Sequence, residues 1–181
     1  YVLYKNGDAY ETIFAGQSNE MTAMFDTDGR VIEELSDLFM FSEDGSISSM
    51  QYVDGSIVCV SNGTLYSYNP ADKTVETYLA GESAFGTEIQ YASNGDKSGY
   101  VWSLYDEETG TGSIIASMKT ENGYSEPVTL YEKENTIWRY VSPAIDENGN
   151  WQLVANAEDV ADGTHSLVSV VKTPKTGVAL A

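Results

Sequence analysis

Trp102, Trp138 and Trp151, with Arg139 directly after the second of them, are the residues best able to hold a ligand. Flat indole faces stack on sugar rings, and a guanidinium can hydrogen-bond hydroxyls or grip a carboxylate. Neighbours on a strand point to opposite faces, so Trp138 and Arg139 cannot both serve one side. The competing role for all three rings is packing between sheets. Asp146, in the turn-rich segment Ser142 to Trp151, is counted with this candidate ligand-binding group.

Other chemistries find less support. Asp26-Thr27-Asp28-Gly29 has the opening of a calcium loop, but Arg30-Val31-Ile32 stand where further oxygen ligands are needed, and Glu33 and Glu34 come late. We read it as a hairpin turn and expect no metal. The single histidine, His165, follows Asp162-Gly163-Thr164 and reads as a solvated turn residue. No Gly-x-Ser-x-Gly elbow and no phosphate-binding Gly-x-x-x-x-Gly-Lys-Ser/Thr loop occurs. Cys59, inside Ile57-Val58-Cys59-Val60, is expected to be a buried, inert thiol. Glycoside hydrolysis needs two carboxylates a few ångströms apart, one of them with a raised pKa. Asp106, Glu107 and Glu108 share one loop and read as solvated. We expect no catalytic residue and no cofactor.

Charge narrows the partners. The 181 residues include 28 acids and 9 bases, a formal charge of −19. Such a surface repels polyanions, which disfavours nucleic acid and anionic membranes as partners. One cysteine excludes an internal disulfide, and one histidine excludes a multi-histidine metal site. No apolar run approaches the roughly 18 residues that cross a bilayer; Leu38 to Phe41 and Val168 to Val171 are strand-sized. The chain starts at Tyr1 rather than Met, which we read as a piece of something longer, joined to other domains. Scarce cysteine with high acidity suggests an extracellular or cell-surface bacterial protein.

The elements that would position these residues are strands. Tyr, Trp, Phe, Val, Ile and Thr suit a pleated surface. Asn-Gly stands at 6–7, 62–63, 94–95, 122–123 and 148–149, and Asp-Gly at 28–29, 44–45, 54–55 and 162–163. These pairs accept positive φ easily and mark hairpins. A helical spacing of Val31, Leu35 and Leu38 is too short to outweigh them.

The strands also repeat. Tyr52 to Gly55, Ser56 to Val60, Thr64 to Tyr68, Asn69 to Asp72 and Thr74 to Leu79 read as strand, strand, strand, turn, strand. Tyr4 to Gly7, Tyr10 to Ala15, Met21 to Phe25, Asp26 to Gly29 and Arg30 to Leu35 follow the same order, with 44 residues between Leu35 and Leu79. A third unit ends at Val128 to Tyr131, and a fourth runs from Ile137 through Trp151 to Val171 without an obvious last strand.

Four such units resemble β-propeller blades of the bacterial surface or secreted type. The expected architecture is an all-β propeller with blades near 1–36, 44–80, 86–131 and 136–173, and an exit segment at 174–181. It could be the C-terminal part of a larger propeller. The Trp-Asp pair of WD40 repeats and the paired glycines of Kelch repeats do not occur. Two β-sandwich domains of about 90 residues are the competing arrangement. Ser142 to Trp151 resembles a degenerate Asp box of sialidase-type propellers, with Asp146 and Trp151 in place, Ala144 for the serine and Gly149 one position late. The box stabilises a turn and is not catalytic. The propeller resemblance implies a non-catalytic binding or scaffolding module for a protein or glycan, held by long loops at 92–99, 106–112 and 156–165. The alternatives are a carbohydrate-active enzyme with part of its site upstream of Tyr1, and a spacer without a ligand.

Overall fold

The computed structural model describes residues 1–18, 21–34, 47–81, 84–86 and 88–172. The Leu38 to Phe41 run, the end of the Arg30 to Leu35 segment and the 174–181 exit segment lie outside them. The described residues form four antiparallel sheets, and the fold class is all-β. The first sheet holds β1 (Val2–Asn6), β2 (Ala9–Ser18) and β3 (Met21–Phe25). The second runs in chain order through β4 (Ser48–Val53), β5 (Ser56–Ser61), β6 (Thr64–Asn69) and β7 (Thr74–Tyr78), the four-stranded meander of a propeller blade. In the third, β8 (Gln90–Asn94), β9 (Lys97–Asp106) and β10 (Thr111–Thr120) are sequential neighbours, and β11 (Gly123–Tyr124) and β12 (Val128–Glu134) both pair with β10. The fourth is β13 (Thr136–Ile145), β14 (Trp151–Asp159) and β15 (His165–Lys172).

Tight turns explain this order. Val53 pairs with Ser56 across Asp54 and Gly55, both at positive φ (49° and 88°). Ser61 pairs with Thr64 across Asn62 and Gly63, also both positive (48° and 74°). Two consecutive positive φ values give the reversal whose twist matches the flanking strands. The same economy corrects the expected long loops. Asn94 pairs with Lys97, so strand pairing runs through most of 92–99 and only Gly95 and Asp96 reverse the chain. Asp106 pairs with Thr111, and Glu158 with His165. Strand propensity on both sides extends each ladder almost to its glycine. His165, expected in a turn, opens β15 and sits 2.9 Å from Asn156 Oδ1 through its Nδ1.

Bulges appear where the sequence gives no hint of them. The register of β4 on β5 shifts between Ser48 and Gln51, and that of β13 on β14 between Arg139 and Ser142. Ser49 (φ 50°) and Tyr140 (φ 51°) absorb the extra residue in the same way on the first strand of each sheet.

The chain divides into two compact units, Tyr1–Leu79 and Ala80–Ala181. In the first, Val2, Tyr4, Ile13, Met24 and Ile32 bury against Ile57, Cys59 and Tyr68. Val58 and Val60, on the other face of β5, are buried as well, so this strand is covered on both sides, as its unbroken apolar run implies. Burial pushes the Cys59 thiol up to about 12, which leaves it unreactive.

In the second unit, Val101, Ile114, Ala116 and Leu130 pack against Trp138, Val141, Ile145, Trp151, Leu153, Ala155 and Ala157. A separate aromatic group lies on the other face of β9, where Tyr100 and Trp102 meet Phe85, with Tyr124 also against Phe85. Gly112 of β10 lies close against Thr136 and Trp138 of β13. A Cβ there would collide with the Thr136 carbonyl, whereas a Cβ at Gly163 would meet open space. Gly112→Ala is expected to destabilise this unit by about 2–3 kcal/mol through overpacking, and Gly163→Ala by about 1 kcal/mol through its positive φ alone. All three tryptophans lie in this unit, so urea unfolding followed by tryptophan fluorescence measures the difference directly.

Candidate functional site

The three tryptophans sit in the interior of the second unit. Trp102, Trp138 and Trp151 are 4%, 3% and 3% exposed. Trp138 donates from Nε1 to the Gly112 carbonyl at 2.9 Å and meets Tyr131 edge-on. Trp102 packs against Phe85, and the absence of a side chain at Gly86 makes room for its ring. Trp151 starts β14, pairs with Ile145 and lies against Gly99. The packing role weighed against binding is the one these rings fill, and none offers an open face for a sugar. Arg139, next to Trp138 on the opposite face as alternation requires, is solvent-facing and paired with Glu158 through Nε at 2.9 Å. The bonded Glu158 carboxylate raises its pKa.

Asp146 is a turn anchor. Its Oδ1 accepts the Asn148 and Asn150 amides at 2.9 and 2.8 Å, and its Oδ2 accepts the Asn150 side-chain amide at 2.7 Å. Those bonds, the Asn150 ones foremost, hold its carboxyl below the ordinary range. The segment considered for calcium has the same construction. Asp26 Oδ1 accepts the Asp28 and Arg30 amides at 3.0 and 2.8 Å. In both turns the backbone bonds also match: the aspartate N–H donates to the carbonyl four residues on, and the glycine N–H donates back to the aspartate carbonyl. Asp-x-Asp/Asn-Gly is therefore one repeated device, and its carboxylate oxygens serve backbone amides. Among the described residues no group of three acids, histidines or cysteines is placed to hold a metal.

One concave site emerges that the sequence did not single out. A cleft of about 180 Å³ opens in the first unit, lined by Tyr4, Glu11, Asp26, Glu34, Tyr68 and Lys73, with Ile13, Val31, Ile32 and Pro70 between them. Tyr4 donates to Glu11 at 2.7 Å and stacks on Tyr52 at 5.1 Å, and Asn6 donates to the other Glu11 oxygen at 3.0 Å. Tyr68 is 4% exposed. Its pKa is raised first by burial and then by the nearby charges of Glu34, Asp26 and Asp72. Lys73 reaches Glu34 only at 4.0 Å, with its side chain largely in solvent. The repeat marked Tyr4 to Gly7 and Thr64 to Tyr68 as strands. Nothing local showed that two hairpins about 60 residues apart would converge.

Comparison with known proteins adds little. No family model matches the chain, and no curated protein does. Among solved structures it is similar to the WD40 domain of SCAP from fission yeast, at 7% identity and a TM-score of 0.38. The similarity covers 88% of this chain and 44% of that one, so the chain spans less than half the length of the domain it matches.

The Trp138 indole ties β13 to β10 through the Gly112 carbonyl. Trp138→Phe keeps a ring there but leaves the buried Gly112 carbonyl without its donor. The expected loss is about 1–3 kcal/mol, read as a lower urea midpoint by far-ultraviolet circular dichroism.

Proposed function

We propose that this chain is a non-catalytic binding module of propeller type, whose ligand is a protein with a basic surface, within a larger surface-exposed or secreted bacterial protein. The observation that carries the proposal is the state of the turn aspartates. Asp72, Asp106, Asp146 and Asp162 all have pKa values below the ordinary one, each held as an anion chiefly by hydrogen bonds within its own turn. A general acid for glycoside hydrolysis needs the opposite shift. Anions fixed on rigid hairpins, in a chain of net charge −19, suit the steering and registering of a cationic partner.

The scaffold supports the same reading. Short, side-chain-braced turns present fixed surfaces that lose little entropy on binding. The buried indoles weaken the case for a glycan, because ring stacking would need an open face. The exposed rings and aliphatics, such as Tyr140 at 89% and Leu167 at 78%, are available to a protein partner.

The test is a binding screen by biolayer interferometry against immobilised lysine- and arginine-rich peptides, acidic peptides and neutral glycans. Basic peptides are expected to bind, with affinity falling several-fold between about 50 and 300 mM salt as the Debye length shortens. Salt-independent binding to a neutral glycan, or no binding to any basic peptide, would overturn the proposal.

A further inference from the structure

We propose that the outer edge of β15 pairs with β15 of a second copy of this chain, antiparallel about a two-fold axis at Ser169, so that the fourth sheet runs continuously across a dimer. Among the described residues β15 pairs with β14 alone, in an unbroken register from His165 to Lys172. Its other edge presents a row of backbone N–H and C=O groups, a template for a further strand. Such edges are ordinarily guarded by charge, proline or a bulge. β7 carries Glu76 at its centre, and β12 carries Glu132, Lys133 and Glu134 and shifts register on β10. β15 has no proline and no acid, and its one lysine, Lys172, stands at its end.

The strand's own sequence selects the partner. Opposed residues of an antiparallel pair share a face, so a two-fold pairing that keeps the sheet faces continuous must centre on a residue. Centred on Ser169, Leu167 stands opposite the copy's Val171 and Val168 opposite the copy's Val170, and the same contacts recur beyond the axis. Every apolar side chain from 167 to 171 then meets an apolar one. Centring on Val168 sets Leu167 against Ser169 and Val170 against Ser166, and centring on Val170 sets Val171 against Ser169 and Val168 against Lys172. The faces agree as well. Val168 and Val170 are partly buried against the core of the unit, whereas Leu167 and Val171 are 78% and 68% exposed. The pairing extends the inner valine row and covers the outer residues along one side.

Charge permits two copies of a chain at −19 to meet here. The acids on the three strands of this sheet are Glu158 and Asp159, at the end of β14. Glu158 pairs with His165, four residues from the level of Ser169 and Val154, and is engaged by Arg139. Across the axis Glu158 and its copy then stand about 26 Å apart along the strands, at about 3.3 Å per residue. That is well beyond the Debye length of about 8 Å at physiological salt. The repulsion that is left acts between whole chains at long range, where salt screens it most.

The test is sedimentation velocity of the whole chain over a roughly 100-fold range of concentration, across which a dimer fraction must grow by mass action. The expected result is a monomer–dimer equilibrium without larger species, tighter at about 300 mM than at about 50 mM salt because repulsion between copies is screened. Leu167→Lys and Val171→Glu, both at exposed positions, should each weaken the dimer by about 10-fold or more, since each change occurs twice across the axis. Combined in one chain they set lysine opposite glutamate on both sides of the axis, and dimerisation should return. Far-ultraviolet circular dichroism checks that each variant is folded. Should one of them fold poorly, Ser169→Lys, also at an exposed position, sets two ammonium groups face to face on the axis and should abolish the dimer. A monomer at every concentration, as when another part of the chain covers the edge, would overturn the proposal. So would growth beyond dimers, association that weakens with added salt, a double variant no better than the single ones, or a Ser169→Lys dimer as tight as the parent. Basic-peptide binding by a strictly monomeric chain would remove this interface and leave the binding-module reading standing.

Discussion

A chain that reverses after nearly every strand must find a partner for each backbone amide at the reversal while keeping strand faces covered. Here the partner is often an aspartate at the end of the incoming strand. Asp26 and Asp146 each take two turn amides on one carboxylate oxygen. Asp106 takes the Glu108 and Thr109 amides, and Asp72 takes both the amide and the hydroxyl of Thr74. Two residues at positive φ close other hairpins, as in Asp54-Gly55 and Asn62-Gly63. The ladders then extend to within a few residues of one another, and β5 is covered on both faces.

This constraint assigns roles to the side chains that look reactive. An aspartate engaged by two or three donors is stabilised as an anion and is a poor proton donor. Its depressed pKa also couples folding to pH. The stabilisation is fully present above the unfolded carboxyl value of about 3.9 and fades as pH falls through the lower folded value. The tryptophans are likewise engaged by the interior, and Trp138 bridges two sheets through the Gly112 carbonyl. The proposed recognition then falls to the fixed negative field of the turns and the exposed rings.

Much of the fold was legible because its signals are local. Asn-Gly and Asp-Gly pairs located most of the hairpins, and the unbroken Ile57 to Val60 run identified a strand buried on both faces. The expected loops at 92–99, 106–112 and 156–165 shrink to 95–96, 107–110 and 160–164, because polar strand ends still pair through their backbone groups. The bulges at Ser49 and Tyr140 left no trace, since neither residue type favours positive φ. The equivalence of the Asp26 and Asp146 turns was visible as a shared Asp-x-Asp/Asn-Gly, yet the two had been weighed as different motifs. The cleft was not legible, because Tyr4, Asp26 and Tyr68 meet only through tertiary packing.

The central claim is that the turn carboxylates are structural anions, and a ¹³C NMR titration of the Asp146 side chain tests it most directly. The account predicts a midpoint below the ordinary aspartate value of about 3.9, with the Asn150 amide moving at the same midpoint as its hydrogen bond is lost. A midpoint at or above the ordinary value, or an Asn150 amide indifferent to it, would contradict the account.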